Sequence, residues 1–113
     1  MKVFISGPMR NIPDGNRSSF EKCEAALKGR GISCYNPRWN EYGYSSEFTT
    51  RDMLTVTLNA LLQCDFICFL DGYEKASGCQ IEKAIAEKLQ MGTLYFHDGK
   101  LYSDYDNVKE FKL

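Results

Sequence analysis

The sequence predicts an α/β fold in which a four- to five-stranded parallel sheet lies between two layers of helices. Short apolar runs rich in β-branched and aromatic residues recur at Lys2–Ser6, Ile32–Tyr35, Phe66–Leu70 and Thr93–Phe96. Between them fall stripes at helical spacing: Phe20, Cys23, Ala26 and Leu27, then Leu54, Leu58, Leu61 and Leu62, then Ile81, Ala84, Ile85 and Leu89. Strands alternating with helices pair in parallel, with the crossover helices covering both faces. Such sheets bind ligands at the carboxyl ends of their strands, where strand order reverses. The loops that follow the strands are therefore where function is sought.

The first strand, Lys2–Ser6, runs into Gly7-Pro8-Met9-Arg10. Gly7 allows backbone N–H groups to approach a bound phosphate, and Arg10 or Arg17 offers a fork of donors. An ordinary strand-to-helix turn is the competing reading. Ser18 and Glu21 form a capping-box pattern for the first helix, which should end near Gly29 or Gly31. After the second strand, Asn36-Pro37 closes the turn at the ligand-binding edge. Trp39, Tyr42 and Tyr44 then sit among polar residues, either as a wall for a planar ring or as packing and subunit contacts. Thr49 should open the next helix, with Asp52 as its capping acid.

The third strand stops abruptly at Asp71-Gly72, and a helix follows from Ser77, where Gln80 again suggests a capping box, to a stop at Gly92. The start of that helix offers unpaired N–H groups and the positive end of its dipole to an anion. Gly78 leaves this entrance bare. Glu82, four residues on and on the same helical face, should lean back over it. A solvated, ion-paired glutamate is the plainer alternative, but its same-face neighbours offer no cation and Lys83 with Glu87 already makes an i,i+4 pair. His97-Asp98-Gly99-Lys100 makes a turn, and the last residues hold a short strand and a charged helix.

The 113 residues are read as a single domain, 1–113, small enough for oligomerisation to help. Fourteen basic and fifteen acidic residues leave a net charge of −1, which excludes the basic field that nucleic-acid polymers require and favours a small-molecule ligand. No apolar run reaches the roughly 20 residues of a membrane span, and the start M-K-V-F-I-S-G-P is too short and too polar for a signal peptide, so a cytoplasmic location is expected. Five cysteines without a C-x-x-C pair read as reduced core residues, with a reactive thiol the alternative reading at Cys79 alone, because a helix start lowers a thiol pKa. With a single histidine, neither a metal site nor a cofactor is expected.

The segments F-I-S-G-P-M, N-P after the second strand, and C-D-F-I-C-F-L-D-G-Y-E-K-A-S-G-C-Q-I-E-K-A-I-A-E resemble the nucleoside 2-deoxyribosyltransferase-like superfamily, and within it the short, often phage-encoded members. The resemblance covers about residues 2–96, and S-G-x-x-x-E at Ser77, Gly78 and Glu82 is its most specific part. It implies a flavodoxin/Rossmann-like three-layer sandwich. It also implies cleavage or transfer of the N-glycosidic bond of a (deoxy)nucleoside or its 5′-monophosphate. Glu82 would attack the anomeric carbon, while Ser77, Gly78 and the Gly7, Pro8, Met9 and Arg10 loop hold the 5′ end. A homodimer or higher homo-oligomer follows from the same resemblance.

Two positions depart from the superfamily pattern. The usual aspartate falls on Thr57, leaving Asp71 as the substitute acid, and the strand-1 tyrosine whose hydroxyl positions the glutamate falls on Phe4. These departures motivate a second reading, a catalytically weak nucleotide-binding sensor or sponge of the same fold. A third, an interaction protein, would use the aromatic stretch around Trp39–Tyr44.

Overall fold

The computed structural model describes residues 1–10, 12–37 and 50–103. In chain order these are β1 (Lys2–Ser6), α1 (Arg17–Gly29), β2 (Ser33–Tyr35), α2 (Thr50–Leu61), β3 (Phe66–Leu70), α3 (Ser77–Lys88), β4 (Gly92–His97) and β5 (Lys100–Ser103). They build one five-stranded sheet in the order β2-β1-β3-β4-β5. The first four strands pair in parallel, with Phe4 opposite both Tyr35 and Ile67. The fifth departs from the all-parallel expectation: β5 returns antiparallel to β4 with His97 opposite Lys100. Asp98 and Gly99 both take positive φ, 53° and 78°, which suits a two-residue turn of the kind that reverses a hairpin.

Strand alternation divides the core into two layers. Val3, Ile5, Cys68, Leu70, Leu94 and Phe96 pack on Phe20, Cys23 and Leu27 of α1. Phe4, Ile67 and Phe69 face the other way, against Leu61 of α2 and Ala86 of α3. All five cysteines are free and buried. No described helix is long and apolar enough to cross a membrane.

The helix ends differ from their sequence signatures. Neither capping box forms: α1 begins after Asn16 and α3 after Ala76, each without a side-chain cap. Gln80 instead donates its side-chain amide to the carbonyls of Tyr73 and Glu74, at 3.2 Å each, tying α3 to the short 3-10 turn Tyr73–Lys75. The stop expected at Gly92 comes at Gln90, which takes φ 56°, and Met91 N–H closes onto Ala86 O at 3.0 Å. Gly92 serves β4 instead, since a Cβ there would lie 2.2 Å from the Phe66 ring. The aromatic residues Trp39, Tyr42 and Tyr44, the helix opener Thr49 and the expected terminal helix lie outside the described residues.

Candidate active site

Strand order reverses between β1 and β3, the position at the carboxyl edge where sheets of this kind bind ligands. Ser6 ends β1 on the same side as Phe4, by the two-residue period of a strand, and that side is covered by α2 and α3. Glu82 reaches it from the second turn of α3, and the Ser6 hydroxyl donates to Glu82 Oε1 at 2.6 Å. Both side chains are buried. A solvated, ion-paired Glu82 is thereby overturned. Its carboxylate turns inward to the sheet rather than back over Gly78, which is exposed and has no atom within 4 Å of where a Cβ would stand.

Burial pushes the Glu82 carboxyl up to about 7, against the opposing effect of the Ser6 hydrogen bond. Cys79, one turn earlier, is buried too. Desolvation pushes its thiol up to about 11 even though Ser6 is a hydrogen-bond partner, so the helix start does not make it reactive.

The remaining candidates group around this pair in different ways. Gly7 packs on Leu70, whose Cδ1 would stand 2.6 Å from an added Cβ, so close chain packing demands this glycine. Pro8 lies against Gly72 and accepts a 3.0 Å hydrogen bond from the Asn16 side chain, which pins the loop after β1. Asn16 itself stands in left-handed backbone with Asp14 and Gly15, residue types that tolerate that conformation best. Met9 packs against the α1-side core, and Arg10 and Ser77 are exposed. Asn36 and Pro37 are buried, and the Asn36 amide donates to Glu24 Oε1 of α1 at 3.1 Å. That bond makes Asn36 a brace between β2 and α1.

Asp71 leaves the end of β3 and accepts from His97 Nδ1 at 2.9 Å on each oxygen, both side chains being exposed. The hydrogen bond and the carboxylate charge raise the His97 pKa. Thr57 holds no acid: it is buried, with its hydroxyl donated back to Met53 O at 3.0 Å. Phe4 is fully buried and stacks on Tyr35 at 5.6 Å. Sequence reasoning missed Ser6. The available signal was a lone hydroxyl at the end of the apolar run Val3-Phe4-Ile5.

A shallow depression of about 240 Å³ on the far side of α3 is lined by Ile67, Phe69, Lys83, Ala86, Glu87, Thr93 and Tyr95 and holds none of the candidate residues. Its charged groups, Lys83 and Glu87, are spent on each other at 3.2 Å. No group of three or more histidines, cysteines and acids that could hold a metal ion occurs among the described residues.

A family model described as a domain of unknown function, DUF4406, matches residues 1–95. The chain belongs to the DUF4406 family. Among curated proteins nothing matches it. Among solved structures it is similar to the 2-deoxyribosyltransferase of the psychrotolerant bacterium Bacillus psychrosaccharolyticus, at 16% identity, with a TM-score of 0.68 and 88% of each chain covered. This DUF4406 chain thus has a deoxyribosyltransferase-like α/β fold.

Proposed function

We propose that the protein cleaves or transfers the N-glycosidic bond of a (deoxy)nucleoside or its 5′-monophosphate, with Glu82 as the nucleophile. The observation that carries this reading is the buried Glu82 carboxyl held by Ser6 at the strand-order reversal. The fold shared with a 2-deoxyribosyltransferase supports it. Ionised Glu82 attacks the anomeric carbon as the bond to the base nitrogen breaks and its electron pair leaves with the base. The result is a glycosyl ester on Glu82. Water or a second base then attacks the same carbon and releases the carboxylate, giving a hydrolase in one case and a transferase in the other.

The departing base needs a proton, and the Asp71–His97 pair on the same edge of the sheet is the described group that offers one, since its partner keeps His97 protonated to higher pH than an ordinary histidine. The open start of α3 at Ser77 and Gly78, with Arg10 from the β1 loop, takes the 5′ phosphate. Pro8 and Met9 shape the floor of that loop. No cofactor enters the reaction. A homodimer belongs to the same reading, with Ile81 on α3 and Leu89 just past its end standing 40% and 49% exposed.

The test is thermal stabilisation by a panel of deoxynucleosides, ribonucleosides and their 5′-monophosphates, followed by chromatography for released base. A stabilising monophosphate that yields free base in the wild type and none in Glu82→Ala supports the enzyme. Stabilisation with no base released under any acceptor or pH favours the second reading, a nucleotide sensor or sponge. The buried, back-bonded Thr57, where the resemblance to the deoxyribosyltransferase-like superfamily would place an aspartate, is the observation on its side.

A further inference from the structure

We infer that Ser6 is the positioning residue of this site, its hydroxyl holding one oxygen of Glu82 so that the other is turned toward the reacting carbon. The inference deepens the glycosyl-transfer reading and rests on it. Ser6 is 1% exposed, and among the described residues its hydroxyl is the hydrogen-bond partner of Glu82. At 2.6 Å to Oε1 the bond has the length of a charge-assisted contact, and it leaves Oε2 for a ligand. Phe4, two residues back on the same side of β1, carries no polar atom that could do this.

A serine hydroxyl has a single proton, and Ser6 has two polar neighbours, Glu82 and the Cys79 thiol. Burial keeps that thiol protonated at neutral pH, so it does not compete as an anion for the Ser6 proton. The Ser6 proton is then committed to Glu82. The two residues are on different elements, the end of β1 and the second turn of α3, so the bond also fixes the depth of α3 over the sheet.

The groups that bear on the charge of Glu82 are few. Cys79 on its own helix feels it, and Ser6 on β1 moderates it. Arg51 and Asp52 on α2, and Glu74 and Lys75 in the 3-10 turn against α3, are all exposed, and Tyr73 of that turn is half-buried.

The experiment is a carboxyl-carbon NMR titration of Glu82 in the ligand-free protein, for wild type, Ser6→Ala and Ser6→Thr. Ser6→Ala is expected to raise the Glu82 midpoint by roughly one pH unit, because the lost donor stabilised the ionised form, and Ser6→Thr to bring it back. On a substrate identified by base release, Ser6→Ala should lower kcat about tenfold or more while KM stays within about twofold. An unchanged midpoint in Ser6→Ala overturns the inference. Should that variant fail to fold, Ser6→Cys, a weaker donor of similar shape, should give a midpoint between the other two. The titration needs no turnover, so an inactive wild type would remove the glycosyl-transfer reading while the midpoint still decides whether Ser6 holds Glu82.

Discussion

Glu82 stands near the positive end of α3, where a helix dipole favours an anion by about 0.3–1 kcal/mol. Burial works against the ion with more force: a pKa moved from 4.5 to about 7 corresponds to roughly 3 kcal/mol. The dipole therefore does not keep this carboxyl in the ordinary acid range, and near neutrality it is divided between its two forms. As a nucleophile it must be ionised, so turnover should climb as pH rises through about 7. A descending limb should appear where His97 loses its proton, at a pH above that of an ordinary histidine. A pH–rate profile checks both limbs, and the upper one should disappear in His97→Gln.

The same shift bears on stability. Between pH 4.5 and 7 the folded chain holds a proton on Glu82 that the unfolded chain has released, so stability falls as pH rises through this window. Glu82→Gln, which cannot ionise, should unfold at higher denaturant concentration at pH 8, by on the order of 2–3 kcal/mol, with little gain at pH 4. Equal gains at both pH values would contradict a buried, titrating Glu82.

Among the elements, β1 and β3 were legible to the residue, because a run such as Phe66–Leu70 is long enough in apolar and β-branched residues to be buried and ends at Asp71-Gly72. Helix ends were less so. Ser77 and Gln80 satisfy a capping-box pattern, yet the 3-10 turn before α3 supplies two carbonyls that compete for the Gln80 amide, and no local pattern encodes that turn. The direction of β5 was missed although the Asp98-Gly99 turn that sets it was read, because the four-residue strand beyond that turn is too short for periodicity to speak. Glu82 was singled out from the open helix start at Gly78. Its bond to Ser6 was not, because it depends on a contact across the sheet. Two substitutions test the backbone account. Gln90→Gly should stabilise by about 0.5–1 kcal/mol, since Gln90 holds φ 56° at the end of α3. Gly92→Ala should cost about 1–3 kcal/mol through the Phe66 ring, both measured by chemical denaturation.

For the whole molecule, the arrangement that matters is a sheet with α1 on one face and α2 and α3 on the other, which brings the β1 loop, the β3 loop and the start of α3 to one edge. The proposed self-association is testable at this scale. Leu89→Glu should lower the sedimentation coefficient of a dimer to that of a monomer without lowering the unfolding midpoint of the isolated subunit, because Leu89 is 49% exposed in the single chain.

The two residues of the buried pair lie 76 positions apart in the chain. Closing so long a loop is among the slower and later events available to a domain of this size, since its entropy must be met before the contact returns anything. Neither the segment through β2 nor the segment from α2 onward contains both halves of the site. A nascent or partly unfolded chain therefore carries an ordinary exposed Glu82, and the neutral-range titration of this carboxyl serves as a built-in reporter that folding has been completed.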